Sequence, residues 1–106
     1  MNRGDIYLCD LGEPVGHEQG YRRPVLIVSH DEITRIGMPV VLPISKTKTG
    51  YTTHVEIDGV LSVTSYIQCE QIRMVDTERF VRSVGSVDAM VMLKVELILK
   101  RLIGLH

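Results

Sequence analysis

Short apolar runs alternate with polar breaks rich in glycine and proline along most of the chain, the pattern of short strands. Asp5 to Asp10 (DIYLCD) is dense in strand formers and is closed by Gly12, Pro14, Gly16 and Gly20, which predicts a strand followed by a long loop. A loop of that length in a compact domain is usually functional or mobile. Pro24 biases Arg23 towards an extended backbone and has no N–H, so it suits the first residue of a strand. Val25 to Val28 then reads as a strand buried on both faces. Asp31 to Ile36 predicts one helical turn, stopped by Gly37 and Pro39. Val40 to Ile44 is the next strand, with Pro43 near an edge or bulge. The polar stretch Ser45 to Thr53 reads as a second surface loop. Further strands are expected at His54 to Ile57, Ser65 to Cys69, Ile72 to Val75 and Phe80 to Val84.

Gly85 separates the last strand from the one convincing helix, with Ser86 as N-cap and Asp88 in the first turn. Met90, Val91, Leu93, Leu97, Ile98, Leu102 and Ile103 supply a broad apolar face, and Gly104 ends the helix. Glu96 and Lys100 are spaced for an i,i+4 pair. Closely spaced short strands favour an antiparallel sheet, because a parallel one needs a helix between successive strands. The expected class is mainly β with a C-terminal helix (α+β): a small, strongly bent sheet or partly open barrel.

At 106 residues the chain supports one domain, residues 1–106, and one core. The formal net charge of −1 gives no global attraction to nucleic acid or to an anionic membrane, so a polyanion would need a local patch. Arg22, Arg23, Arg35, Lys46 and Lys48 outnumber Asp31 and Glu32 between positions 22 and 48, which places such a patch there. Cys9 and Cys69 lack metal-like spacing and form no disulfide framework. Without a signal-peptide pattern or a run of about 18 apolar residues, a cytoplasmic protein with no membrane association is expected.

The two loops, Gly16 to Arg23 and Ser45 to Thr53, leave consecutive parts of the sheet and would share a concave rim if their strands are neighbours. There the planar guanidinium fork of Arg22 or Arg23 would grip a phosphate, with Ser45, Thr47, Thr52 and Thr53 adding hydroxyls. The same arginines also fit a solvated pair at a strand entrance. Glu18, Gln19, His17 and His54 equally fit ordinary polar loop residues, and composition leaves both readings open. No HExxH, CxxC or carboxylate cluster points to a metal, and no P-loop, dinucleotide fingerprint or GxSxG elbow is present.

Four blocks, RGDIYLCDLGEPVGHEQGYRRPVLIVS (Arg3 to Ser29), VVLPIS (Val40 to Ser45), THVEI (Thr53 to Ile57) and SYIQCEQIRMVDTERF (Ser65 to Phe80), occur in this order. In that order they resemble the MazF/PemK toxins of bacterial toxin–antitoxin systems, whose fold is of the MazF/CcdB, SH3-like type. The resemblance implies a metal-independent, cofactor-free endoribonuclease that cuts single-stranded RNA at short motifs. It implies catalysis by Arg23 and Ser45, and substrate binding by Glu18, Gln19, Arg22, Thr47, Thr53, His54 and Gln71. It further implies a homodimer and a cognate antitoxin whose acidic, partly disordered tail fills the RNA groove.

Two positions depart from the family pattern. Serine at 45 stands where threonine is commoner, so the hydroxyl stays but the methyl that limits its rotamers is lost. Tyr21 replaces a common glycine and offers a surface on which a base can stack. RNA cleaves itself when its 2′-hydroxyl attacks the adjacent phosphorus, so the protein need supply only alignment, charge stabilisation and proton transfer. A guanidinium stays protonated near neutrality, so Arg23 suits the developing phosphorane charge better than the role of base. Glu18 and His17 are the candidate proton carriers. The alternative is a binding poison like the gyrase-directed toxin CcdB, similar in architecture but with no need of an arginine–hydroxyl pair.

Overall fold

The computed structural model describes residues 1–105. Seven strands, β1 (Asp5–Asp10), β2 (Arg22–Ile27), β3 (Val40–Ser45), β4 (His54–Ile57), β5 (Ser65–Gln68), β6 (Arg73–Met74) and β7 (Phe80–Ser86), accompany two helices, α1 (Asp31–Arg35) and α2 (Ala89–Ile103). The strands form one antiparallel sheet in the order β4-β5-β3-β2-β1-β7, and β6 pairs β3 beside this path. The sheet does not close, with β4 and β7 at its ends, as expected of a small bent sheet or partly open barrel. Strand β3 is its hinge: Val40 and Val41 pair β6, whereas Ile44 and Ser45 pair β5. Pro43 falls between these two pairings, where its missing N–H leaves no gap in a ladder.

Alternation along β2 and β3 builds two cores. Leu26, Leu42 and Ile44 face a cluster with Ile6, Val55, Ile57, Ile67 and Cys69, covered by Met92 and Val95 of α2. Val25, Ile27 and Val41 face the other way, onto Cys9, Leu11 and Val75, with Tyr7 and Phe80 stacked at its margin. A strand buried on both faces thus reads as a continuous apolar run, although the strand expected over Val25 to Val28 ends at Ile27 and Val28 is half-buried.

Several element limits differ from expectation. Strand β2 begins at Arg22, and Pro24 lies inside it opposite Leu8. Val28 donates to the Val40 carbonyl, so even-numbered residues of β2 aim their N–H groups at β3. Pro24 has none to aim, and the β2–β3 ladder stops at Val25 and Pro43. Strand β5 ends at Gln68 because Cys69–Gln71 turns into a single 3₁₀ turn. Only Arg73 and Met74 of the expected Ile72 to Val75 strand are paired. Gly85 is a member of β7 opposite Ile6, and Ser86 pairs Asp5, so Ser86 cannot cap the helix. The cap is Asp88, whose carboxylate accepts from the Val91 N–H at 2.9 Å.

Helix α2 buries Met92 and Val95, with Val91, Ile98 and Leu99 half-buried beside them. Met90, Leu93, Leu97, Leu102 and Ile103, expected on the core face, are exposed. The helix is apolar on nearly every side, so periodicity does not select which stripe packs. Glu96 pairs with Arg3 (2.8 Å) rather than with Lys100, because Arg3 is anchored nearby by its Nε donating to the Val28 carbonyl. Gly104 ends the helix with a left-handed backbone (φ 80°), as expected.

Candidate active site

The last β2–β3 ladder pair is Val25 with Pro43; Arg23 and Ser45 each lie two residues beyond it on their strands, and both line one cavity. Both side chains leave the face that also carries Val25 and Val41. Proline at 24 therefore does two things: it straightens Arg23, and it ends the ladder so that the strand ends bearing Arg23 and Ser45 are not zipped together. The guanidinium of Arg23 is held by its Nε donating to the Gly20 carbonyl at 3.1 Å, which leaves its terminal nitrogens to other partners. The Ser45 hydroxyl is buried and accepts from the Thr47 N–H at 3.1 Å. That bond limits the rotamer freedom that replacing threonine by serine introduces, and it keeps the hydroxyl proton available for donation.

A cavity of about 690 Å³ opens at these strand ends. Consecutive residues line it, Arg22 to Pro24 and Ile44 to Thr47, so it wraps the rim of the sheet. Leu8, Val60, Leu61 and Val84 form apolar wall, and Arg22, Arg23, Lys46 and Arg82 supply four cations. No carboxylate lines it, and none of the four cations has an ion-pair partner among the described residues. Four uncompensated positive charges around a concave surface attract a polyanion despite the net charge of −1. Arg82 has no place in the sequence motif; only its position opposite Leu8 brings it here.

The other residues singled out by sequence lie elsewhere. Glu18 turns back on its own loop, accepting from the Val15 N–H at 3.0 Å. Gln71 accepts from the Gln19 N–H (3.1 Å) and donates to the His17 carbonyl (2.8 Å), so its amide braces the first loop from beneath. Its neighbour Glu70 braces the second: it accepts from the Thr53 hydroxyl at 2.7 Å and lies 3.1 Å from Nε2 of His54. The His54 side chain is only 4% exposed, and its Nδ1 is 3.2 Å from the Thr49 hydroxyl. Thr52 and Thr53 border a small cleft against Ile98, Arg101 and Leu102 of α2. Arg22, Arg23, Ser45 and Thr47 are thus brought together, whereas Glu18, Gln19, Thr53, His54 and Gln71 belong to the supports of the two loops. The 3₁₀ turn that carries both braces has no sequence signal beyond two adjacent polar residues.

A family model described as PemK-like, MazF-like toxin of type II toxin–antitoxin system matches residues 2–103. The chain belongs to this toxin family. It is 38% identical over 104 residues to endoribonuclease EndoA of Bacillus subtilis, covering 91% of this chain and 88% of that protein. Among solved structures it is similar to MazF from Deinococcus radiodurans (TM-score 0.89, 25% identity, 99% of this chain and 97% of that one). It is similar as well to a mycobacterial endoribonuclease solved in complex with its cognate antitoxin (TM-score 0.84, 25% identity, 100% and 97% of the two chains).

Two features of this family member bear on its chemistry. Tyr21 has a left-handed backbone (φ 59°), the conformation a glycine adopts freely. The loop therefore keeps a glycine-type path at position 21 at a cost of about 1–2 kcal/mol, held by Tyr21 N–H donating to the Gly12 carbonyl at 2.6 Å and Leu11 N–H to the Tyr21 carbonyl. Gly20 beside it has no room for a side chain, since a Cβ would collide with Pro14 and sit 2.8 Å from the Gly12 carbonyl. The thiols are inert near neutrality: burial, above all, pushes Cys9 up to about 11 and Cys69 up to about 12. Both are free. Among the described residues no three His, Cys, Asp or Glu side chains converge as metal ligands, and no helix is long and apolar enough to cross a membrane.

Burial raises the Glu70 carboxyl, but its bonds to Thr53, His54 and the backbone outweigh this and hold it below the ordinary 4.5. A carboxyl depressed by folding stabilises the native state above its unfolded value, and that stabilisation is lost as pH falls through the folded value. Denaturant midpoints of the wild type are expected to fall below pH 4.5, and those of Glu70→Gln to fall less over the same interval. Equal pH dependence in the two proteins would show that Glu70 contributes nothing to this acid sensitivity.

Proposed function

We propose that this toxin is a metal-independent endoribonuclease acting on single-stranded RNA. The observation that carries the reading is that Arg23 and Ser45, on strand ends beyond the β2–β3 ladder, line one cation-lined cavity without carboxylates. In the proposed step the 2′-oxygen of one nucleotide attacks the adjacent phosphorus as its proton leaves. The bond to the 5′-oxygen breaks and that oxygen takes up a proton. The products are a 2′,3′-cyclic phosphate and a 5′-hydroxyl. Arg23 stabilises the negative charge that grows on the phosphorane, the role for which a metal would otherwise be used. Ser45, its lone pair engaged by Thr47, donates its proton to a non-bridging oxygen. Arg22, Lys46 and Arg82 hold flanking phosphates. Glu18 and His17, on the Gly16 to Arg23 loop but outside the cavity lining, would have to reach the linkage by loop movement to carry the proton.

The regulator in this reading is an antitoxin with an acidic, partly disordered tail, which competes with RNA for the same four cations and folds as it binds. The toxin works in the cytoplasm as a homodimer, and the exposed apolar residues Met90, Leu93 and Leu97 of α2, with Ile72 and Met74, are available for subunit contact. The test is to incubate purified toxin with a defined RNA pool in chelator and map the 5′ ends. Cleavage at one short motif, with 2′,3′-cyclic phosphate on the upstream fragments, is expected. Intact RNA, or products with 3′-hydroxyl ends, would overturn the reading.

A further inference from the structure

Ser45 has a cross-strand neighbour in β5. On the side away from Arg23 it pairs with Tyr66, which in turn pairs with Glu56. All three side chains leave one face, because Ile44, Ile67, Val55 and Ile57 take the other. Directly opposed residues of an antiparallel sheet hold their Cβ atoms about 5 Å apart, so the row continues from the Ser45 hydroxyl over the span of one base. Tyr66 is half-buried, and among the described residues its ring has no aromatic partner, whereas Tyr7 stacks on Phe80 and Tyr51 tilts against His54. Glu56 is exposed, with no ion-pair partner among the described residues. It lies close enough to the Tyr66 phenol to raise its pKa, after burial and together with Asp58. Charge is therefore segregated about Ser45, with Arg22, Lys46 and Arg82 in the cavity and Glu56 and Asp58 beyond the ring. An aromatic face flanked by carboxylates repels a phosphate and suits a base, whose amino group a carboxylate can accept from.

We propose that Tyr66 and Glu56 form the subsite for the base next to the cleaved linkage, the ring stacking on it and the carboxylate accepting from its amino group. The subsite favours adenine, cytosine or guanine over uracil, which has no amino group. This rests on the ribonuclease reading above, so its test is made on binding. A randomised pool of short 2′-O-methyl RNAs binds without the attacking hydroxyl and cannot be cleaved by that route. In the fraction retained by wild type, uracil is depleted about tenfold at one position, the discrimination expected of one good contact to a base edge. Glu56→Gln, at an exposed site that leaves folding intact, abolishes that depletion. Tyr66→Leu weakens retention of the whole pool about tenfold, as expected for loss of one stacked base, and Tyr66→Phe restores it. Depletion that survives Glu56→Gln, or wild-type retention by Tyr66→Leu, overturns the proposal. Selective retention by a wild type that leaves ordinary RNA intact would reject the nuclease reading and keep the subsite. Cleavage of ordinary RNA with unaltered selection by both variants would reject the subsite alone.

Discussion

Arg23→Ala is expected to lower kcat for RNA cleavage by about 10²–10³-fold, the usual effect of removing one donor aimed at a transition-state charge. The effect falls on kcat because the phosphorane carries more negative charge than the ground-state diester. KM changes less, since Arg22, Lys46 and Arg82 still hold the flanking phosphates. Folding is retained: the side chain is only half-buried, and its one hydrogen bond within the protein, to the Gly20 carbonyl, is worth about 1 kcal/mol. Arg23→Lys keeps a charge but loses the planar fork and recovers only part of the rate. Single-turnover cleavage with thermal melts of the same samples decides the matter. Undiminished cleavage by Arg23→Ala would remove Arg23 from the reaction.

Leu26→Ala is expected to destabilise the fold by about 3 kcal/mol, within the range for buried leucines. Leu26 is fully buried between Ile6, Leu42 and Met92 in a cluster that joins β2, the central strands and α2. Removing its side chain leaves a cavity that three different elements would have to shift to fill. A loss of that size is a large share of the stability of a chain of 106 residues and lowers Tm by more than about 10 °C. Urea unfolding measures it directly, and a change below about 1 kcal/mol would show that the core collapses around the gap. Molecules that remain folded should cleave RNA normally, since Leu26 faces away from Arg23 and Ser45.

Much of the fold is legible in the residues taken singly. Asp5–Asp10, Val40–Ser45 and His54–Ile57 are strands because short apolar runs containing β-branched or aromatic residues are bounded by turn-forming segments, and Gly104 stops α2 because glycine accepts a left-handed backbone. Arg23 and Ser45 are legible as a pair through family motifs, and Pro24 marks where Arg23 becomes extended. Local reasoning is weaker where two answers satisfy the same pattern. Ser86 and Asp88 are both good caps, and only the pairing of Ser86 with Asp5 decides between them. Leu93 and Val95 both fit an apolar stripe, and the sheet accepts Val95.

The site divides in the same way. Gln71 and His54 are polar residues in a recognisable block, and nothing local distinguishes a group that touches RNA from one that braces a loop. Their hydrogen bonds reach His17, Gln19 and Glu70, residues 16 to 54 positions away in the chain. Arg82 lies outside the family blocks and Tyr66 inside one, where nothing marks it as a site residue; both gain meaning only opposite Leu8 and Ser45. The chain by itself determined where the backbone extends, turns and stops, because those preferences act over a few neighbouring residues. Which side chains meet was decided by strand register and by the face on which α2 settles, and both depend on contacts summed across the whole sheet.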